Sequence, residues 1–335
     1  MQSTRKLKKI YYYDQLHYYY TGEGVHQEGE GIYLPKFCTT IEPPACPPGY
    51  VPFFNSEKNN WEQIPIPDHF IEIIRVYADY DFDKTHSISE QPLIYKIQNS
   101  NFLEDPSAIK IFNLLSPLKK FDRYISRDQI AFSLAHRIVY TNSKIDNIYH
   151  CHAKNLRNFS TKQFPHMGIL IFPHFELANI LHNIKKILDT IVISTYLSTQ
   201  NDIFILDNND EIKLDAIGTV INKATSPTYT AVRDIIRFDH YRDLFRAING
   251  IHNAYKHSIL TECLYNKIHL EPTFHVRNFS SFNPKNLSKI VEYEIQLKKI
   301  IFSFNDFLSC LFGEIYTSDA PRFKLIEISN KKRGN

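Results

Sequence analysis

HFELANILHNIKKILDTIVISTYL, residues 174–197, is the stretch that decides how the chain folds. Leu177, Ile180, Leu181, Ile184, Ile187, Leu188, Ile191 and Val192 recur every three or four residues and line one broad face of a long amphipathic helix that Pro173 opens. His182, Asn183, Lys185, Lys186 and Asp189 make it too polar to span a bilayer. Working outward, residues 238–265 carry the same period through Tyr241, Leu244, Phe245, Ile248, Ile251, Tyr255 and Ile259. Residues 284–312 predict a third helix on Leu287, Ile290, Val291, Ile295, Leu297, Ile301, Phe304 and Leu308, with a shorter element at 213–222. Three long helices and one short element predict a bundle.

Towards the N-terminus the composition changes. Five of the ten glycines lie at or before Gly49, and eight of the seventeen prolines fall between Pro35 and Pro67. With aromatic runs between them, residues 1–67 read as short strands and turns. No glycine occurs from Tyr50 through Met167, so Walker-type and dinucleotide loops have no material there. Residues 70–165 read as a mixed linker and helical layer, with apolar spacing at Ala108, Ile109, Phe112, Leu115 and Leu118. The division is therefore 1–69, 70–165 and 166–335 for a chain of 335 residues.

Composition narrows the class further. With 43% hydrophobic and 22% charged residues, the chain is globular and not disordered. A net charge of +3 leaves any nucleic-acid-binding surface local. Five scattered cysteines, at 38, 46, 151, 263 and 310, fit reduced thiols. The basic start runs into Tyr11, Tyr12, Tyr13 and Asp14 instead of an apolar stretch, so a soluble cytoplasmic protein without a secretory signal is expected. His150, Cys151 and His152, with His136 and His166 elsewhere, lack CxxC or HExxH spacing, so neither a metal nor a cofactor is expected.

Two resemblances sharpen these expectations. Tyr33, Leu34 and Pro35, then Thr40, Pro43 and Pro44, Pro48 and Gly49, Phe53 and Phe54, Trp61, and Asp68 with His69 resemble the small module of phage tail-fibre assembly and tail-associated proteins. Asn59 and Asn60 replace the glycine usual beside its tryptophan. The resemblance implies a phage or prophage protein whose first part binds a protein partner, such as a tail component. Trp61 is either the anchor of the module's core or a partner-binding residue.

HFELANILHNIKKILDTI, the later HNAYKHS and a helix ending FSFNDFL are together similar to HEPN (higher eukaryotes and prokaryotes nucleotide-binding) domains over roughly 173–315. That resemblance implies a helical bundle, often dimeric, and in many members a metal-independent endoribonuclease of toxin or antiviral defence systems. Its motif is Arg, a polar residue, then His four to six residues on. Asn253 and His257 match the last two positions with His252 in place of Arg; alternatively Arg246 and His252 match, with Ala247 at the polar position.

At about 100° per residue, Arg246, Asn253 and His257 share a polar ridge opposite the apolar stripe, flanked by Asn249 and Lys256. Ala247, Gly250 and Ala254 form a small-residue strip where a second helix, in a homodimer, could approach closely. Histidine can move a proton at a ribose 2′-hydroxyl, arginine can neutralise phosphate charge, and Asn249 and Lys256 can hold RNA. The expectation is an α+β chain, mainly a HEPN-like helical bundle with a small N-terminal strand-and-turn module. Its helical part cleaves or binds RNA. The alternatives are a non-catalytic interaction protein or a tail-assembly chaperone with a helical extension.

Overall fold

The structure is a computed structural model and describes residues 6–14, 18–28, 33–66, 72–80, 92–95, 97, 105–115, 126–160, 167–199, 216–223, 229–257, 269–278, 289–313 and 323–329. Strands β1 (Lys6–Tyr13) and β2 (Tyr20–Glu28) pair antiparallel, with Tyr12 opposite Gly22 and a register shift between Tyr12 and Tyr13. β3 (Cys38–Thr39) adds to β1, while β4 (Tyr50–Asn55) and β5 (Asn60–Pro65) form a separate hairpin. Its turn follows from two asparagines. Asn55 Oδ1 accepts the amides of Glu57 and Lys58, each at 3.1 Å, and Asn59 takes φ of 48°, a left-handed conformation that asparagine tolerates.

Alternation along β1 sends Tyr11 and Tyr13 to one side and Ile10 and Tyr12 to the other. Tyr11, Phe54 and Trp61 make a small buried core, with Tyr13, Tyr20 and Ile41 packed around it. Tyr13 stacks on Phe54 at 4.5 Å between centroids, and Trp61 meets Phe54 edge-on at 5.1 Å. The indole nitrogen of Trp61 donates to the Ile41 carbonyl at 2.7 Å, so its one polar atom is satisfied inside the core.

A second sheet has the order β7-β8-β6-β9, from β6 (Glu72–Asp79), β7 (Thr273–Asn278), β8 (Lys289–Gln296) and β9 (Lys324–Ser329). β6 and β8 run parallel and the other neighbours antiparallel. One face is apolar: Ala78, Phe274, Val276 and Ile295 join the main core, and Val76, two residues from Ala78 and so on the same side of β6, is buried. The other carries Arg75, Tyr77, His275, Arg277, Glu292 and Glu294 in paired positions. This face meets the N-terminal module, where Gly22, at φ +135°, lies against the Arg75 guanidinium and has no room for a Cβ.

The helices are α1 (Pro106–Leu114), α2 (Arg127–Ser160), α3 (Met167–Thr199), α4 (Ile217–Asn222), α5 (Thr230–Ile235), α6 (Phe238–His257) and α7 (Leu297–Leu311). Asp105 caps α1 by accepting the amides of Ser107 and Ala108 at 2.8 and 3.3 Å, with Pro106 in the first turn. α2 packs along α3, α3 along α6, and α6 over β7. Ile180, Leu181, Ile184, Ile187 and Leu188 are fully buried, as are Leu244, Phe245, Ile248 and Ile251 of α6 and Phe304 and Phe307 of α7. Each such side chain contributes roughly 1.5–3 kcal/mol relative to an exposed position.

Within this apolar mass, Lys185 is tied to Asp189 at 2.6 Å, and Asp189 also accepts the Ile217 amide that starts α4. Asn142 holds both the amide and the carbonyl of Ile94, at 2.7 and 2.8 Å. Asn305 does the same for the Tyr95 amide and Leu93 carbonyl, at 2.8 and 2.7 Å, so two helices clamp the 93–95 segment.

The α+β class stands, but the expected free-standing bundle does not, because the helices close onto a mixed sheet. The predicted third helix over 284–312 is corrected: among the described residues, 289–296 is strand β8 and helix begins only at Leu297. Val291, Tyr293 and Ile295 alternate with Glu292, Glu294 and Gln296, a period of two that Ile290 and Leu297 disguise as three and four. α3 begins at Met167, six residues before Pro173, and α6 is described to His257, short of residue 265. Among the described residues no helix is long and apolar enough to cross a membrane.

Candidate functional site

The ridge expected on α6 divides in the structure. Arg246 turns towards β9, where its Nη2 donates to Glu327 Oε1 at 3.0 Å and Asp243 stands 3.6 Å from Nη1. Asn249 faces α4, with its Oδ1 beside Gly218. Lys256 is exposed, and the His257 side chain lies outside the described residues. Ala247 and Ala254 are fully buried, and Gly250 sits beneath the Tyr293 hydroxyl of β8, where a Cβ would collide with it. The small-residue strip is thus filled from within the chain. Trp61, 6% exposed, fills the module's core and does not stand at a surface a partner would meet.

His252, the other histidine of the motif-like run and outside the expected ridge, is the α6 residue that gains a chemical partner. Its Nε2 lies 3.3 Å from Nδ1 of His182 on α3, with the rings stacked at 5.5 Å and 26°. Two helices separated by seventy residues fix this pair, because α3 and α6 are held rigidly by the apolar faces behind it. Burial, then Lys186 and Arg137, lower the His182 pKa; burial, then Lys185 and His182 itself, lower that of His252. Both rings are therefore neutral at pH 7. His182 is exposed, with His252 half-buried behind it and next to Asn253 in sequence. Arg137 is positioned by Asn183, which accepts its Nη1 at 2.7 Å and is itself bonded to the Asn179 carbonyl.

Further histidines continue along the seam between α3 and α6. His174 lies 5.0 Å from the Tyr255 ring, and burial, helped by His275, lowers its pKa to about 4. His275, on edge strand β7, contacts Glu292 Oε1 at 3.0 Å, and Arg277 Nε donates to Glu292 Oε2 at 2.8 Å. Arg75 stands 3.9 Å away. Burial alone would raise the Glu292 carboxyl, but His275, Arg75 and Arg277 outweigh it and hold the group well below the usual carboxylate range.

Sequence reasoning found His252 and Asn253 and missed His182, His174, His275 and Glu292. His174 and His182 are eight residues apart and so share a helix face, which was the available signal. Nothing local joins either to α6 or β7. Of the His150, Cys151 and His152 run, Cys151 contacts Asn147 and His152 lies beside the backbone of His269 and Leu270. His166 lies outside the described residues.

With the geometry in place, comparison with known families gives one match. Residues 7–64 match the family model of the phage YomQ N-terminal domain. That span covers the strands β1 to β5 and makes the first part of the chain a phage-associated module. No curated protein and no solved structure matches the chain.

Proposed function

We propose that this phage- or prophage-associated protein acts on RNA through the His182–His252 pair, in a defence or toxin-like role. The observation that carries the reading is the 3.3 Å contact between two imidazoles, one exposed and one behind it, beside Arg137 and Lys186, with burial and these cations lowering the pKa of His182. His182 takes the proton of a ribose 2′-hydroxyl, and the 2′-oxygen attacks the adjacent phosphorus. The bond to the 5′-oxygen breaks, and the protonated ring returns its proton there, leaving a 2′,3′-cyclic phosphate. His252 is a positioning residue: its Nε2 lone pair accepts the Nδ1 proton of His182 and steadies the imidazolium. Arg137 and Lys186 offset charge that grows on the phosphate. No metal takes part in this chemistry.

The test is incubation of the purified chain with labelled single-stranded RNA in EDTA. The wild type should release cyclic-phosphate ends, and His182→Ala should slow this about 10²- to 10⁴-fold while RNA binding persists. His252→Ala should lower the rate less and shift its pH profile. An inactive wild type, or an unimpaired His182→Ala, would sink the reading. A second reading, a non-catalytic interaction or tail-assembly protein, is favoured by Val25, Tyr33, Leu34 and Tyr50, large apolar side chains exposed on the module at 43–77%. RNA binding without cleavage would support it.

A further inference from the structure

The charged face of the four-stranded sheet holds a donor set that the RNA chemistry does not use. His275, Glu292 and Glu294 each offer a ligand atom, and these atoms lie within 4.8 Å of one another. They come together because Glu292 and Glu294 are two apart on β8 and share a face, while the register sets His275 opposite Glu294. A fourth donor stands beside them: His269 Nδ1 is 3.8 Å from Glu294 Oε1, and its ring is 5.5 Å from that of His275.

The geometry points to a binding site for a divalent transition ion of the zinc type on His275, Glu292 and Glu294, with His269 as a fourth ligand. Imidazole and carboxylate are the nitrogen and oxygen donors such ions take, at about 2.0–2.2 Å. Those bond lengths set neighbouring donors about 3.3–3.5 Å apart around a tetrahedral ion, close to the 3.0 Å between His275 and Glu292. Ion binding requires the Glu294 side chain to rotate towards the other two donors, with the strand pairing holding the backbone in register.

A further feature fits. Arg277 grips Glu292 Oε2, an outer contact of the kind that orients metal-bound carboxylates, and leaves Oε1 turned to the histidine. Arg75 and Arg277 also set a limit. Two guanidiniums already balance the two carboxylates, so an added ion competes with them, and the site should be exchangeable and not the structural kind that folding requires.

The experiment dialyses the full chain against zinc chloride, removes the excess, and measures bound metal by elemental analysis and the melting temperature with and without zinc. The wild type should hold one zinc per chain and melt higher with it. Glu294→Gln and His275→Gln should lose both responses, yet melt within a few degrees of the zinc-free wild type. A double change in the run flagged by sequence, His150→Ala with Cys151→Ser, should retain both. Absence of stoichiometric zinc in the wild type overturns the proposal whatever the variants do, and so does uptake that survives Glu294→Gln and His275→Gln but disappears with the 150–151 pair.

Discussion

The module and the body reach stability by opposite means. The module's core is three aromatic side chains, Tyr11, Phe54 and Trp61, joined by ring contacts and one indole hydrogen bond. Among the described residues, the body buries dozens of aliphatic and aromatic side chains over its helices and a sheet, and sinks charged groups such as Glu292 and Lys185. A small core concentrates its stability in one residue, whereas a large one spreads it and can carry buried polar chemistry. The His182–His252 pair and the candidate ion site accordingly both lie in the body.

The largest expected effect breaks this contrast at its narrowest point. Trp61→Ala should cost about 3–5 kcal/mol, more than a core of this size can absorb. Limited proteolysis should then cut within residues 7–64 while residues 126–311 stay protected and keep their helical circular dichroism. Equal loss in both parts would mean that they fold as one unit.

A smaller effect separates them by acid. His174 is held neutral, its pKa lowered to about 4 by burial and His275, against an ordinary value near 6.5. Its contribution is complete above about pH 6.5 and is lost as pH falls towards 4. Glu292, also depressed, contributes fully above the ordinary carboxylate range and loses that contribution at still lower pH. The body should therefore lose stability from pH 7 to 4, by up to about 1.4 kcal/mol per pH unit for each group titrating. Denaturant melts followed by helical signal would show this, and His174→Phe should flatten the upper part of the slope. A body as stable at pH 4.5 as at pH 7 would contradict the assignment.

The smallest effect sharpens the comparison at the surface. Lys58 meets Glu62 at 2.8 Å on the module hairpin, but both are solvated, so Lys58→Ala should leave the urea midpoint almost unchanged. Asn55→Ala, which removes the acceptor that shapes the same turn, should cost more in the same urea melts.

These differences also explain what the sequence could show. The module was legible because Pro and Gly mark its turns and its strands alternate plainly. α3 and α6 were legible because one face of each is apolar at a period of 3.6. β8 was misread because its polar face, Glu292 and Glu294, is buried on a charged network instead of facing water, and alternation normally advertises a solvated face. Half of the histidine pair was found and half missed. Asn253 and His252 lie in a motif-like run, whereas His182 is seventy residues away and matters only because two helices happen to cross beside it. Arg246 was expected on a shared ridge, but its guanidinium is taken by Glu327, a residue from the far end of the chain.

Gly22 has a consequence for anyone who would recombine this protein. The module meets the body where a bare backbone at residue 22, opposite Tyr12, admits the Arg75 guanidinium; a side chain there would displace that guanidinium and strain a backbone held at φ +135°. A chimera that grafts a foreign module onto this body therefore needs glycine at the equivalent strand position, and one that grafts this module elsewhere leaves an empty notch. The seam makes the phage-associated module a keyed part, exchangeable only with others cut to the same profile.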